Sequence, residues 1–416
     1  MAVDTDKLME FVGSVIGDLG ATLAAGGVVI GHRLGLYTAL AQGPATPEQL
    51  AERTGCHPRY LTEWLRSQAA GGYVGYQPET GTFAMSEEQA FALTDPAGPV
   101  YLPGAFLLAL ASLRSEPRIT DAFRTGAGVG WHEHHEDLFT GCELFFRPGY
   151  LASLTTSWIP ALDGVEAKLA AGAAVADIGC GLGASSLLMA QAYPRASIVG
   201  SDYHDVSIEQ ARKAAVEAGV GDRVQFDVAS AQTFAGSGFD LVTSFDCLHD
   251  MGDPLGAARH VRAALAPDGT WMVVEPAAGD RVEDNLNPVG RVYYSASTLL
   301  CVPNGLSQPG GYALGAQAGE AAIRQLVTDA GFTRFRRAAE TPFNIVYEVR
   351  PKAGGGRRGG RPRRVGAAPC RPPGRLLEAL VSCTVLAFPI ALLDMTGRST
   401  SEMRADISAG SPSVQD

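Results

Sequence analysis

The clearest structural signal in the chain is the segment Val175-Ala176-Asp177-Ile178-Gly179-Cys180-Gly181-Leu182-Gly183. It begins as a short apolar run typical of a buried strand, continues with three glycines at alternate positions, and leads into an apolar helical pattern. Glycine allows a tight turn and lets a ligand approach the backbone closely. The free N–H groups at the start of a helix add hydrogen-bond donors. The stretch therefore predicts a strand, a ligand-binding loop and a helix.

Outward from this loop, strand and helix patterns alternate over residues 173–349. The predicted strands are Ala174–Asp177, Ser197–Asp202, Arg223–Asp227, Phe239–Phe245, Thr270–Glu275, Phe335–Ala339 and Asn344–Val349. The predicted helices are 184–192, 207–218, 254–265 and 318–330. This alternation predicts the α/β class, with a Rossmann-like, doubly wound, mostly parallel sheet of seven strands. No helix separates the last two strands, so we expect one of them to run antiparallel.

Two cofactor classes fit a glycine loop of this kind. The loop satisfies the G-x-G-x-x-A pattern of dinucleotide sites, so a nicotinamide or flavin is one alternative, and a glycine-rich turn without a ligand is another. Asp202 ends the next predicted strand, where a carboxylate accepts hydrogen bonds from both hydroxyls of a ribose. Asp177 at the loop entrance would repel a pyrophosphate and attract the ammonium of a methionyl group. Together the two carboxylates favour S-adenosylmethionine.

The same region resembles the class I S-adenosylmethionine-dependent methyltransferases over roughly residues 173–350. The matching motifs are 177–183, Val199-Gly200-Ser201-Asp202 and Phe239-Asp240-Leu241-Val242. The resemblance implies that Asp177, Gly179 and Gly181 line the cofactor and that Asp202 holds its ribose. Ser230 stands where such enzymes often place Asp against the adenine amino group. The expected cofactor-binding residues are Asp177, Gly179, Cys180, Gly181, Gly183, Asp202, Tyr203, Ser230, Ala231 and Phe245.

Candidate catalytic residues follow the fourth predicted strand, in Asp-Cys-Leu-His-Asp-Met-Gly-Asp-Pro over 246–254. Doubly wound sheets place their sites at the carboxyl ends of strands. His249 is the expected general base because its ordinary pKa lies near neutrality. The segment is similar to the Leu-His-Asp-Trp stretch of plant-type small-molecule O-methyltransferases, which implies that His249 deprotonates a hydroxyl and Glu275 orients it. Asp250 completes the predicted catalytic set; the alternative is that His249 caps a helix or packs in the core.

Candidate acceptor-binding residues lie in Trp131-His132-Glu133-His134-His135-Glu136 and in an insertion after the fifth strand. Three histidines within four residues raise the question of a metal, but no pair has the i, i+4 spacing of a helical metal site, and we expect none. We expect Trp131, His132 and His135 to contact the acceptor, the alternative being a solvated loop. Tyr293 and Tyr294 cover the acceptor pocket or pack in the core.

The N-terminal part has the pattern of a winged helix over residues 45–92, preceded by a helical stretch over 5–42. Thr46 caps one helix with Gln49, and the runs Tyr73–Tyr76 and Thr82–Met85 flank a turn as a hairpin wing. With the catalytic region, this part is similar over about 28–350 to bacterial winged-helix methyltransferases of largely unassigned substrate. Winged helices often bind DNA, but residues 1–100 carry five Lys or Arg against eleven Asp or Glu. We therefore expect dimerisation there.

Composition sets the remaining expectations. The 416 residues carry a net charge of −11, which disfavours a nucleic-acid partner, and seven scattered cysteines without a C-x-x-C pair indicate a reducing, cytoplasmic location. Four domains are predicted: a winged-helix dimerisation domain at 1–98, a helical linker with acceptor-pocket residues at 99–165, a cofactor-binding methyltransferase domain at 166–351 and a basic, disordered tail at 352–416. In the tail, the apolar run Ala379–Leu393 is too short to span a bilayer, so we expect no membrane partner.

The sequence as a whole predicts a homodimeric S-adenosylmethionine-dependent methyltransferase that acts on a small-molecule acceptor at oxygen. The alternative is a transcription regulator that senses a ligand through a methyltransferase-like fold and binds DNA through its winged helix.

Overall fold

The computed structural model describes residues 3–351, so the segment 352–416, for which we predicted disorder, lies outside the described residues. The N-terminal elements are α1 (Thr5–Arg33), α2 (Leu36–Leu40), α3 (Pro47–Thr54), α4 (Pro58–Ala70), β1 (Gly75–Gln77), β2 (Thr82–Ala84) and α5 (Glu87–Leu93). The predicted helix over 5–42 is divided in two because Gly35 adopts φ +64°, a conformation that interrupts a right-handed helix. The expected wing is present but short, with β1 and β2 antiparallel.

The winged-helix unit folds around its own small core. Thr46 and Gln49 form the predicted capping box of α3, with Thr46 accepting from the Gln49 N–H at 3.3 Å. From α4, Leu61, Trp64 and Leu65 are buried against Tyr37 of α2 and its neighbours. The capping and the apolar face of α4 thus produce the local structure that the sequence indicated.

A helical layer connects this unit to the sheet. Its members are α6 (Pro103–Leu113), α7 (Glu116–Thr125), α8 (Asp137–Ser153), a π-helical turn over Leu154–Trp158 and α9 (Val165–Ala171). Glycine lets α6 and α8 approach closely, because a Cβ on Gly104 would lie 2.5 Å from the Cβ of Leu144. This contact holds α8 in place along the edge of the site described below.

The seven-stranded sheet confirms the predicted architecture. Its strands are β3 (Ala174–Ile178), β4 (Ser197–Asp202), β5 (Val224–Val228), β6 (Phe239–Phe245), β7 (Leu265–Pro276), β8 (Arg334–Glu340) and β9 (Asn344–Arg350). They lie in the order β5-β4-β3-β6-β7-β9-β8, and β9 runs antiparallel to both of its neighbours, as expected. The accompanying helices are α10 (Ala184–Ala192), α11 (Asp205–Glu217), α12 (Pro254–Ala264), α13 (Pro288–Ala296), α14 (Val302–Ser307) and α15 (Gly319–Asp329).

Both faces of this sheet are buried. Side chains alternate between the faces along each strand, so Val175 and Leu241 join one apolar cluster while Ala176 and Val242 join the other. The strand order reverses between β3 and β6, and such a switch point opens a crevice at the carboxyl ends of the strands. The crevice is where the site is found.

Helix α1 differs from the rest of the described chain in its exposure. Phe11, Ile16 and Leu23 are 66%, 63% and 72% exposed although they are strongly apolar. By length and composition alone, α1 is long and apolar enough to cross a membrane, and only 17% of its most apolar 18-residue stretch is buried. The C-terminal part of the helix is buried, at Ala25, Val28, Val29 and Gly31, and Asp18 forms an exposed ion pair with Arg291 at 2.6 Å.

Candidate active site

A cavity of about 180 Å³ lies at the carboxyl ends of β3, β4 and β6. One wall, which we call the cofactor side, comes from the loops after β3, β4 and β5 and the starts of α10 and α11, and consists of Gly179, Cys180, Gly181, Leu182, Ala184, Ser185, Asp202, Tyr203, Ser207, Ala229, Ser230, Ala231 and Gln232. The opposite wall, which we call the acceptor side, consists of Trp131, Phe139, Cys142, Glu143, Phe146, Tyr150, Asp246, Cys247, Asp250, Met251, Asn304 and Gln308. Phe245, at the end of β6, lies between the two. A single water needs only roughly 10–15 Å³, so the cavity has room for a ligand.

The glycine loop turns through left-handed conformations, as its composition predicted. Gly179, Gly181 and Gly183 have φ values of +68°, +53° and +84°. Gly181 has open space where a Cβ would project, whereas a Cβ on Gly183 would lie 2.7 Å from the ring of Phe226. Gly183 does not line the cavity and serves instead the packing of α10 on the sheet, which corrects its predicted cofactor contact.

Asp202 lies on the cofactor side in the expected position. Its Oδ2 accepts a hydrogen bond from the Gly181 N–H and its Oδ1 accepts one from the His204 N–H, both at 2.9 Å. Each carboxylate oxygen keeps a second lone pair, which is what two adjacent ribose hydroxyls require. Together with the open backbone at Gly181, this donor and acceptor set fits an adenosyl cofactor.

Asp177 is placed differently from its prediction. It is completely buried and does not line the cavity. Its Oδ2 accepts hydrogen bonds from the hydroxyls of Ser185 and Ser186, and its Oδ1 accepts one from Thr243. Burial raises the pKa of Asp177, while these three hydroxyl donors oppose the rise. The carboxyl group thus joins β3 to α10 and β6, and it supports the loop from outside the cavity.

The predicted catalytic pair forms. The His249 Nδ1 lies 2.5 Å from the Glu275 Oε2, and the Leu248 N–H donates to the Glu275 Oε1 at 3.0 Å. Burial would lower the pKa of His249, but the Glu275 carboxylate and the nearby Cys301 thiol hold it well above its usual value. Neither His249 nor Glu275 lines the cavity, while Asp250 does. The imidazole therefore lies behind the cavity wall.

Asn304 connects three parts of the site. Its Oδ1 accepts hydrogen bonds from the Trp131 N–H at 3.0 Å and from the Tyr203 hydroxyl at 3.4 Å. Its Nδ2 donates to the backbone carbonyl of Asp250 at 3.3 Å. Asn304 is only 3% exposed, so these bonds are buried. They hold together the loop at Trp131, the residue that follows β4 and the segment 246–254 that contains His249.

The predicted acceptor residues are only partly brought together. Trp131 lines the cavity, but His132 and His135 are exposed and do not. Tyr293 and Tyr294 also lie outside the lining, and the Tyr293 hydroxyl donates to the Phe343 carbonyl at 2.7 Å, so the core alternative holds for Tyr293. In the described part of the chain, no group of three or more His, Cys, Asp or Glu side chains is arranged to hold a metal.

Sequence reasoning missed the contribution of α8 to the acceptor side. Cys142, Phe146 and Tyr150 follow one another at intervals of four residues and therefore share one face of the helix. That spacing was visible in the sequence, but nothing indicated that this helix, among several, covers the site. Asp246 was missed as well, although it immediately follows the fourth predicted strand.

Comparison with known proteins agrees with this geometry. A methyltransferase-domain family model matches residues 169–308, and an Rv2258c-like winged HTH domain model matches residues 22–95. A mitomycin biosynthesis 6-O-methyltransferase from Streptomyces lavendulae is 30% identical over 259 residues, which cover 60% of this chain and 72% of that protein.

Solved structures share the fold. The mitomycin 7-O-methyltransferase MmcR superposes with a TM-score of 0.61 at 24% identity, covering 83% of this chain and 100% of that one. Human N-acetylserotonin methyltransferase in complex with S-adenosylmethionine gives a TM-score of 0.62 at 17% identity, covering 85% and 100%. At these identities the superpositions establish the fold.

The sheet order, the glycine loop and the placement of Asp202 define the class I methyltransferase fold with its S-adenosylmethionine site. With the relationship to the Streptomyces lavendulae enzyme, the chain belongs to the family of S-adenosylmethionine-dependent methyltransferases that this enzyme represents. S-adenosylmethionine is its methyl donor.

Proposed function

We propose that this enzyme methylates a hydroxyl group of a small aromatic molecule, with His249 as the general base. The observation that carries the proposal is the His249–Glu275 pair, directly beside a cavity walled by aromatic side chains. Glu275 binds the Nδ1 side of the ring, so the proton of the hydroxyl passes to Nε2 when the imidazole is in its neutral form. The names of related enzymes, among them an O-demethylpuromycin-O-methyltransferase from Streptomyces alboniger, support oxygen as the methylated atom.

The protein's part in this reaction is alignment and proton removal. The bound cofactor supplies an activated methyl group, so the cavity has to hold the hydroxyl oxygen in line with it and exclude water. Phe146, Tyr150 and Phe245 provide apolar walls for this purpose. Because His249 lies behind the wall, the proposal includes a turn of the imidazole toward the cavity when the acceptor binds. Catalytic hydrogen bonds often form only in the complex.

The test is to incubate the purified enzyme with isotopically labelled S-adenosylmethionine and a small-molecule extract, and to search by mass spectrometry for labelled products. A product that carries one added label on oxygen, located by the carbon chemical shift of its methyl group, supports the proposal. Labelled products methylated only at nitrogen or carbon would contradict it, even though the enzyme would still be a methyltransferase.

We also propose that the enzyme is a cytoplasmic homodimer in which α1 packs against a second copy. A long helix with an apolar, exposed face is not stable in water by itself, so another surface must cover it. The ion pair of Asp18 with Arg291 ties this helix to α13, and a second copy supplies an equally apolar partner face. Free thiols at all five described cysteines are consistent with a reducing compartment.

Sedimentation analysis tests the dimer. We expect the wild-type protein and Glu10→Gln to sediment as dimers without detergent, and Ile16→Asp to shift toward monomer. If α1 instead binds lipid, the wild type would be monomeric and would float with vesicles, which would refute the proposal.

The pairing of the charges on α4 disfavours the alternative of a DNA-binding transcription regulator. Arg59 and Arg66 both lie within ion-pair distance of Glu63, at 2.7 and 3.7 Å. Their charges are therefore partly neutralised on the helix that would have to contact DNA phosphates.

A further inference from the structure

The acceptor side of the cavity carries an excess of negative charge. Among the described residues that line the cavity, four are acidic, and none is Lys, Arg or His. Two of the four have local compensation. Asp202 accepts two backbone N–H bonds, and Glu143 lies 3.4 Å from the Arg147 guanidinium. The other two are Asp246 and Asp250.

Asp246 and Asp250 have no such partner within residues 3–351, where neither forms an ion pair with Lys or Arg. The nearest cation is the imidazole of His249, but that ring is bound to Glu275, so the pair as a whole adds no net positive charge. The acceptor side therefore has two carboxyl groups without a Lys or Arg counterion in a largely apolar enclosure, where an unpaired charge is strongly disfavoured.

Asp246 shows the clearest sign of a missing partner. The Asn344 Nδ2 donates to its Oδ1 at 2.8 Å, while its Oδ2 is buried and has no hydrogen-bond partner among the described residues. Its backbone has φ +50°, a conformation that only a few per cent of non-glycine residues adopt. The bond from the Asp246 N–H to the Val274 carbonyl at 2.8 Å fixes this conformation at the end of β6. This oxygen is therefore able to accept a hydrogen bond from a donor group on a bound molecule.

The surroundings set the protonation of both groups. Burial and the Glu275 carboxylate raise the pKa of Asp246 well above its usual value, and burial raises that of Asp250 to about 7 although His249 opposes the rise. A cation between them would lower both pKa values and favour the carboxylate forms. The titratable and polar groups that face this pair are His249, Glu275, Cys142, Cys247, Tyr150, Tyr293, Asp202, Asn304 and Asn344.

We propose that the acceptor carries a protonated amine, which the carboxylates of Asp246 and Asp250 bind, so that the cavity selects cationic hydroxy-aromatic molecules. This inference rests on the proposed methylation of a small aromatic hydroxyl compound. The rings of Phe146 and Tyr150 add favourable faces for a cation. Complementary charge gives selectivity because a carboxylate on the acceptor would be repelled by both groups.

The test uses three probes of similar size: tyramine as the cation, 4-ethylphenol as the neutral molecule and 4-hydroxyphenylacetate as the anion. Their binding to the enzyme saturated with S-adenosylhomocysteine is measured by calorimetry at several pH values. We expect tyramine to bind at least tenfold more tightly than 4-ethylphenol, and the anion more weakly than both. Between pH 6 and 8 tyramine affinity should rise, since the Asp250 carboxyl group, with its pKa raised to about 7, loses its proton there while an aliphatic amine keeps its own.

Single variants assign the effect. Asp246→Asn keeps the shape of the side chain and tolerates a positive φ, and Asp250→Asn is the parallel change. Each should reduce the preference for tyramine over 4-ethylphenol about tenfold. Glu217→Gln on α11 removes a similar charge from an exposed carboxylate and serves as the control, with unchanged preference.

Equal binding of tyramine and 4-ethylphenol, or no binding of tyramine, would overturn the proposal. The proposal would also fall if Asp246→Asn lost as much affinity for S-adenosylhomocysteine as for tyramine, because Asp246 would then bind the ammonium group of the cofactor. Methylation at oxygen of uncharged acceptors only would refute this inference and leave the proposed function intact.

Discussion

The cofactor side and the acceptor side of the cavity both contain buried carboxyl groups, but these groups differ in how many hydrogen-bond donors they have. On the cofactor side Asp202 receives two backbone N–H bonds, and behind it Asp177 receives three hydroxyl bonds. On the acceptor side one oxygen of Asp246 has no partner in the described chain.

This contrast indicates how each side is prepared for its ligand. The cofactor side is made from consecutive strand ends, and its polar groups are fixed before any ligand arrives. The acceptor side is assembled from α8, the segment after β6 and α14, which are far apart in sequence, and Asn304 of α14 binds the segment after β6 and the Trp131 N–H ahead of α8. We therefore expect substitutions on the two sides to separate cofactor binding from turnover.

The largest expected effect comes from removing the base. His249→Ala should lower kcat for a hydroxyl acceptor by about 10² to 10⁴, because the imidazole that takes the proton is lost. Affinity for S-adenosylhomocysteine, measured by calorimetry, should stay within a factor of about two. His57→Asn, which keeps a capping side chain at the start of α4, is the control with unchanged kcat. An unchanged rate in His249→Ala would remove the base role.

The next effect should appear on the cofactor side. Asp202→Asn replaces a charged acceptor of ribose hydroxyl bonds, and a hydrogen bond to a charged group contributes about 1.5–3 kcal/mol. Cofactor affinity should therefore fall about tenfold to a hundredfold, and the melting temperature of the free enzyme should change little. Cofactor binding as tight as in the wild type would show that Asp202 does not hold the ribose.

Asp177→Asn should have the opposite effect to Asp202→Asn, with a loss of stability and little loss of cofactor affinity. Its carboxyl group accepts three buried hydroxyl bonds and touches no cavity, so its loss should destabilise the fold by about 1–3 kcal/mol. Differential scanning calorimetry should show a lower Tm, while cofactor affinity well below that Tm falls only a few-fold. A loss of affinity without a change in Tm would restore the direct contact that the sequence suggested.

The smallest effect concerns pH. Glu275→Gln removes the carboxylate that raises the pKa of His249, so the imidazole should lose its proton at a lower pH than in the wild type. The rising limb of the rate profile should then move toward lower pH, together with a lower maximal rate because the ring is less firmly oriented. A limb that moves toward higher pH would contradict the assignment of His249 as the titrating base.

Much of the fold was predictable from local pattern. The strands Ser197–Asp202 and Phe239–Phe245 and the helix 184–192 were predicted with their observed bounds, because strand alternation and helical spacing are properties of short segments. Two features differed from the prediction. The helix predicted over 5–42 breaks at Gly35, and an isolated glycine does not reveal whether a helix ends there. Strand β7 is longer than predicted, because a polar turn such as Pro267–Gly269 does not show that pairing with a neighbouring strand continues through it.

The candidate site was predictable in part for the same reason. Local sequence determined the cofactor loop, the carboxylate at the end of β4 and the pair His249 and Glu275, since each lies directly at the end of a strand whose register is fixed by its apolar pattern. Only the tertiary structure showed that Asp177 points away from the cavity, that α8 forms the opposite wall and that Asp246 has an unpaired oxygen. These features depend on which distant segments meet, and packing between distant segments leaves no periodic signal in any one of them.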